Sequence, residues 1–475
     1  MTTLGWIILL LGIGVGGGVA LIGTYIGKRQ MKNSEHYFTG GRNVTMSLMT
    51  ATWISYAVGT GLIFSPAESA YTSGLSAMIG YALALTVAYL VFIPVSRKIR
   101  SRIPQGHTIA EYAKVRYGTP MQLLTTFVTV IYMFVLLVSN LIGAALIFKY
   151  VGGIPMPISV LAIGLPTLYF AGIGGVKAAI ATNGLQSLLI TPLIFLPAAY
   201  MLFNLGGTSS IYEGVRAARP EFLDIAWDPS MQFAVMIIMA VTAAELLNQS
   251  LWQRIYTAKN QKTINRSLGA AAVMVFPLTI VAAFLGFAAI GLGTQVPHTS
   301  IVSGMVIFEN TPTWITALFS IVVVLAASST GGDALAGFSS IFSFDVVRVL
   351  KPQISPQQAV LAGRIGVVLF GALGMLVAYR APSILFLLLL ADLLACAAVV
   401  PIIGGLYLRR IGGMGAFIAC AAGIVSGIPM FLSGQSLWSF LTALGTSTAI
   451  TLLWALFSKK EFDFARLRTE IENIA

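Results

Sequence analysis

Ser329, Thr330 and Asp333 fall within one helical turn of the stretch VLAASSTGGDALAGFSSIFSFDVV, which runs from Val324 to Val347. Hydroxyl and carboxylate oxygens are the ligands that a hard cation such as Na⁺ prefers. Ser329 and Asp333 stand at i and i+4 and so share a helix face. The surrounding residues are apolar enough to place the group inside a bilayer, where a polar side chain is costly and has a partner or a task. A cation stripped of its water could bind there if bare carbonyls from another helix completed the shell. The competing reading is that Ser328, Ser329 and Thr330 bond back to carbonyls one turn earlier. Asp333 one turn on favours the ion site.

Glu245 and Asp392 are the other carboxylates inside apolar runs. Asp392, in LLLLADLLACAAVV, could share in a site or equally be a structural partner for an unseen cation. Glu68 belongs to an outer turn and is expected to be solvated, while Arg364 and Arg380 lie near helix ends and snorkel. Cys396 and Cys420 sit in apolar runs and suggest neither a disulfide framework nor a metal site. His36, His107 and His298 are too scattered for a zinc cluster. No nucleophile–base pair is evident, which disfavours an intramembrane enzyme. GIGVGGG lacks the GK[ST] ending of a phosphate loop, so no ATP site is expected.

The elements that position these residues must be membrane-spanning helices. Of 475 residues 57% are hydrophobic and 9% charged, with a mean hydropathy of +0.88; a soluble domain carries about 25% charged residues. Unbroken apolar runs such as GWIILLLGIGVGGGVALIGTYIG select helices over barrel strands, which would alternate. Hydropathy predicts about thirteen spans, roughly 4–27, 44–66, 74–95, 119–150, 154–173, 177–203, 229–251, 265–293, 312–346, 358–379, 383–408, 413–433 and 437–458. The first run lacks a basic start and a small-residue cleavage site and reads as a retained span. No soluble domain is expected beyond the last span. The tail KKEFDFARLRTEIENIA reads as an amphipathic helix lying against the membrane.

The net charge of +12 would suggest nucleic acid in a soluble protein. Here the basic residues sit in alternate short loops: Lys28, Arg29, Lys32 and Arg42; Arg97, Lys98, Arg100 and Arg102; Lys177; Arg254, Lys259, Lys262 and Arg266; Arg348 and Lys351; Arg409 and Arg410; Lys459 and Lys460. That parity predicts a multi-pass cell-membrane protein, N-terminus outside and C-terminus cytoplasmic, with lipid rather than nucleic acid as its partner.

Two spans look interrupted. The second holds SYAVGTGLIFSP, with Gly59, Gly61 and Pro66, and the seventh holds AAELLNQSLWQR, with Glu245, Asn248 and Gln249. They lie five spans apart, as in a five-plus-five inverted repeat with a broken helix leading each half, a transporter architecture. Gly59 and Gly61 could instead serve close helix packing.

The chain resembles the sodium/solute symporter family over nearly its whole length. YFTGGRNVTMSLMTATWIS, AYTSGLS, HTIAEYAKVRYG, GGVKAAIATNGLQ, NQSLWQRIYTAKN and SSIFSFDVV carry the resemblance by their order and spacing. It implies an all-α membrane protein with a LeuT-type inverted repeat, not an enzyme, with no cofactor and with Na⁺ as coupling ion. The implied division is an extra helix and loop (1–43), a first repeat (44–203), an outer loop (204–228), a second repeat (229–410), and two further helices with a tail (411–475). The resemblance also implies a sodium ion between the first and eighth core helices. Carbonyls at Ala51, Ile54 and Ala326 and hydroxyls of Ser329 and Thr330 would bind it. One departure stands out: where the family usually has a Thr-Asp step, this chain has Thr182–Asn183. Some members hold a second sodium there, opposite a serine that matches Asp333. The negative charge has moved from position 183 to Asp333, so Asn183 and Asp333 form a candidate second ion or proton site.

Within the family the chain is similar to the urea-transporter branch, on RIPQGHTIAEYAKVRYGT, STGGDALAGFSSIFSFDVV and Trp53. That branch is generally proton-coupled and lacks the second hydroxyl, so Thr330 points back to sodium. The resemblance therefore implies sodium-coupled symport of urea or another small nitrogenous solute. Proton coupling remains open, as do a monocarboxylate, proline or a sugar as cargo. The solute would bind beside the helix breaks, with Ser55, Tyr56, Thr60, Tyr81, Glu245, Asn248 and Gln249 as candidates. No Arg is expected inside these core helices to clamp an organic acid. A channel would need a continuous polar pore, and a sensor would need more than the short tail; both are rival classes. Oligomeric state is not legible.

Overall fold

The computed structural model describes residues 3–30, 33–351, 353–380 and 383–471; Lys32 and the last residues of the tail lie outside them. The helices run in order α1 (Thr3–Gln30), α2 (Ser34–Thr39), α3 (Met46–Ala57), α4 (Thr60–Ser73), α5 (Leu75–Arg102), α6 (Ile109–Tyr117) and α7 (Thr119–Tyr150). Then follow α8 (Met156–Asn204), α9 (Gly207–Ala218), α10 (Asp228–Leu246), α11 (Gln249–Thr257), α12 (Gln261–Gly291) and α13 (Val302–Asn310). The chain closes with α14 (Thr313–Ile341), α15 (Arg348–Leu350), α16 (Pro356–Ala378), α17 (Ile384–Gly404), α18 (Gly413–Leu432), α19 (Ser436–Phe457) and α20 (Arg466–Thr469). Among the described residues the only extended pairing is one isolated bridge between Val44 and Ala258.

Eleven of these helices are long and apolar enough to cross a membrane, and α3 with α4, bent by 48°, makes a twelfth span. The 49 residues of α8 would reach roughly 74 Å as one rod, more than twice the ~30 Å of a bilayer core. Gly175 divides it: its backbone turns to φ 55°, ψ −151°, a region open essentially to glycine alone. A Cβ there would also meet the carbonyl oxygen of Tyr37 at 2.5 Å. Counted as two, the halves of α8 bring the total to the thirteen that hydropathy predicts. The short helices α2, α6, α9 and α13 are additions that a span search does not seek.

The first broken span is α3/α4 and the second is α10/α11, and each leads a half of a five-plus-five core of LeuT type. At the second break Asn248 accepts from the backbone N–H of Ser250 and restarts the helix as its N-cap. From the second half comes α14, buried at every residue from Val322 to Ile341. Its all-round apolarity suits a helix enclosed by others, here α8, α7, α16 and α1.

Two expectations are corrected. Glu68 is buried rather than solvated; its carboxylate accepts from Thr299 Oγ1 at 2.5 Å and from Ser300 Oγ at 3.1 Å, so the loop before α13 clasps α4. The described part of the tail does not form a membrane-surface helix: among its described residues only Arg466–Thr469 is helical, and it packs on loops at the basic end of the bundle. Arg102 lies 3.2 Å over the Phe464 ring and Arg116 4.5 Å over Phe462, while Arg468 donates to the carbonyl of Ser101 at 2.6 Å. Two phenylalanines find guanidinium planes instead of lipid.

Candidate ion and solute site

The break between α3 and α4 leaves Val58 and Gly59 outside helical geometry. A Cβ at Gly59 would come within 2.5 Å of Thr330 Oγ1 and 3.0 Å of Asn140 Oδ1, so glycine here permits both the break and its close approach to α14 and α7. Across that contact Thr330 Oγ1 donates to the carbonyl of Tyr56 at 3.0 Å. The Ser329 hydroxyl proton has two acceptors, the carbonyl of Ser55 at 3.2 Å and Asn183 Oδ1 at 2.9 Å, and the Ser55 hydroxyl lies 2.7 Å away. Ser328 alone of the three bonds back, to the carbonyl of Leu325 at 3.0 Å, and accepts from Gln186 Nε2 at 2.9 Å. The two readings of the hydroxyl run thus divide within it: Ser328 serves its own helix, whereas Ser329 and Thr330 reach the other half of the molecule. Ala51 and Ile54 lie one turn back on α3, with the Ile54 carbonyl accepting from Val58 N–H at 3.0 Å. Ala326 lies just before the hydroxyls on α14 and is fully buried.

Asp333 has a partner that sequence reasoning missed. Arg254 Nη2 donates to Asp333 Oδ2 at 2.5 Å, and the two side chains are only 4% and 5% exposed. Asn183 Nδ2 reaches both carboxylate oxygens, at 3.1 and 2.9 Å. Arg254 is therefore not a loop anchor, and the core helices do contain an arginine. The reason is the break: α11 resumes at Gln249 and runs to Thr257, which carries Arg254 into the bundle instead of out of it. The available signal was charge parity, since a buried Asp333 needs a cation. The guanidinium also lies 4.9 Å over the Tyr56 ring and 5.7 Å over Trp53.

On the other side of the break is a cavity of about 70 Å³, lined by Tyr56, Tyr81, Tyr132, Glu245, Thr330 and Asp392 among others. Glu245 accepts from Tyr56 OH at 3.3 Å and from Asn248 Nδ2 at 3.1 Å, and Asn248 also donates to Tyr56 OH. Three of the solute candidates, Tyr56, Tyr81 and Glu245, face this space, with Asn248 bonded to two of them. The others are committed elsewhere. Ser55 turns to Ser329. Thr60 gives its backbone N–H to Asn140 Oδ1 at 2.9 Å and its hydroxyl to the carbonyl of Ser139 at 3.2 Å. Gln249 accepts from Ile109 N–H at 3.0 Å and donates to the carbonyl of His107 at 2.7 Å. Tyr132, Ser139 and Asn140 on α7 are lining residues that sequence reasoning passed over; the Ser-Asn step inside an apolar span was the signal.

At the basic end, His107 is enclosed between Glu35 of α2, 2.9 Å from Nε2, and Glu111 of α6, 3.3 Å from Nδ1. Its ring stacks on Phe344 at 4.3 Å. Burial opposes charge on His107, but Glu111 and Glu35 outweigh it and lift its pKa to about 9. Burial likewise opposes charge on Glu35, yet His107 and Arg42 hold it down at about 2. The ion group joins α2 to α6, and the ring contact ties it to the segment that follows α14.

The model of the Sodium:solute symporter family matches residues 37–423. The "Urea-proton symporter DUR3" of Oryza sativa subsp. japonica is 21% identical over 86% of this chain, which spans 62% of that protein's length. The "Sodium/sialic acid symporter SiaT" of Proteus mirabilis is 24% identical over 75% of each chain. A solved Na⁺-coupled sialic acid symporter, substrate-bound and outward-open, superposes with a TM-score of 0.77 at 20% identity, covering 97% of this chain and 99% of that one.

Proposed function

The chain belongs to the sodium:solute symporter family, and from that premise we propose that it carries a small nitrogenous solute, urea-like in size, across a cell membrane with Na⁺. The observation that carries the reading is the pair of hydroxyls, Ser329 and Thr330, set against the Ser55 and Tyr56 carbonyls. Small rotations turn those oxygens onto a cation, and hydroxyl and carbonyl oxygens suit Na⁺. Ala51, Ile54 and Ala326 would supply further carbonyls.

The orientation that fits is basic end inward, N-terminus outside, C-terminus cytoplasmic. Na⁺ entering from outside draws α14 to α3 and fixes Tyr56 at the wall of the cavity, so that each occupant favours the other. The membrane potential adds about 2.3 kcal/mol per charge per 100 mV. A cavity of about 70 Å³ favours a solute of few atoms over a sugar. Only one cation site is proposed: at the second, between Asn183 and Asp333, the Arg254 guanidinium supplies a fixed positive charge. Proton coupling is the second reading, favoured by the name of the rice relative. Uptake into proteoliposomes tests the two. Accumulation driven by an imposed Na⁺ gradient, and abolished when choline replaces Na⁺ at constant pH, supports the proposal; accumulation driven by a pH gradient in choline overturns it.

A further inference from the structure

The charges around the cavity do not balance. Arg254 is taken by Asp333, and among the described residues no basic side chain forms an ion pair with Glu245 or Asp392. Both carboxylates line the cavity and are 6% and 5% exposed. Glu245 has the Tyr56 hydroxyl and the Asn248 amide as donors. Asp392 accepts no hydrogen bond from any described residue. A third group is also unsatisfied: Ser139, 1% exposed and part of the same lining, has a hydroxyl with no partner. Three tyrosines, Tyr56, Tyr81 and Tyr132, complete the wall.

Carboxylates removed from water cost several kcal/mol each unless a cation meets them or they take up a proton. Tyrosine faces attract the same kind of charge. We infer that the solute is a small organic cation rich in N–H donors, of the amidinium, guanidinium or primary ammonium class, held between Glu245 and Asp392. The inference rests on the function proposed above and names its cargo. With Glu245, Asp333 and Asp392 all ionised, Arg254, one Na⁺ and one cationic solute neutralise their three negative charges. Neutral urea would supply donors but would require Glu245 or Asp392 to hold a proton, and an anion would be repelled.

The test uses the whole chain in nanodiscs, in NaCl, with guanidinium, acetamidinium and methylammonium against urea, acetamide and acetate as probes. Binding is read by calorimetry and by the shift in melting temperature at low millimolar probe. The expected result is binding of at least one cation, at least tenfold tighter than urea or acetamide. Asp392→Asn is expected to weaken that cation tenfold or more and to narrow the gap to urea, while its melting temperature still rises with Na⁺. Urea binding as tightly as every cation in the unaltered protein overturns the inference, and so does an Asp392→Asn variant with unchanged cation affinity. Cation binding without Na⁺-driven uptake sinks the proposed coupling and leaves this inference standing; Na⁺-driven uptake of a neutral solute alone does the reverse.

Discussion

Arg254 and Asp333 meet at 2.5 Å between α11 and α14, with both side chains almost wholly buried. The pair ties the restarted half of the second broken helix to the helix that carries the Ser329 and Thr330 hydroxyls, one turn beyond Ser329. It also converts a carboxylate that sequence alone would offer to a mobile ion into one already met by a fixed charge.

Breaking that pair leaves a lone charge in a dry place. Arg254→Met is expected to destabilise the protein by about 3–5 kcal/mol, whereas Arg254→Met with Asp333→Leu recovers most of that loss. Thermal unfolding in detergent checks both. In uptake assays Asp333→Asn is expected to do more damage than Asn183→Ala, because Asn183 contributes a neutral donor and Asp333 the charge. Equal effects would count against the arrangement.

Removing an oxygen from a cation's shell weakens the cation first. Ser329→Ala and Thr330→Ala are each expected to raise the Na⁺ concentration for half-maximal uptake about tenfold or more, in keeping with about 1.5–3 kcal/mol for a bond to a charged group. Thr330→Ser keeps the hydroxyl and is expected to restore the unaltered Na⁺ dependence. A sodium titration that does not move in either alanine variant excludes the site.

The ion group around His107 predicts a pH window for the basic end. His107 is raised from 6.5 to about 9, so its contribution is complete below about 6.5 and fades as pH climbs through about 9. Glu35 is lowered from 4.5 to about 2, so its contribution is complete above about 4.5 and fades as pH falls through about 2. Hydrogen-exchange protection of α2 and α6 is therefore expected to be highest between about pH 4.5 and 6.5 and to fall on the alkaline side. In His107→Gln the alkaline fall is expected to vanish.

Gly175 is strained for any other residue. Gly175→Ala must hold a left-handed backbone and fit a Cβ 2.5 Å from the Tyr37 carbonyl, for a cost of about 1–3 kcal/mol from the backbone alone. A lower melting temperature is expected, with a larger loss than for Gly269→Ala, whose Cβ meets nothing within 4 Å.

Much was legible in the chain before any coordinates. Thirteen spans, two of them interrupted, followed from hydropathy and from Gly59, Pro66 and the NQS step, because burial in lipid and helix breaking are local properties of a sequence. The candidate ion ligands were legible too, since Ser329 and Thr330 stand together on one helix. Which oxygens they would face was not. Ser329 finds Ser55 at a separation of 274 residues, Asp333 finds Arg254 at 79, and Glu245 shares a cavity with Asp392 from a different helix. Partnership across helices is decided by how the spans cross, and composition and period carry no record of that. Hence Gln249 and Thr60, solute candidates by residue type and position, bond between segments of the bundle here, while Arg254 looked like a loop residue and lies in the core. The amino acids alone determined a bundle of membrane helices with costly oxygens at mid-depth. The tertiary packing decided which of those oxygens pair with one another and which are left facing a cavity.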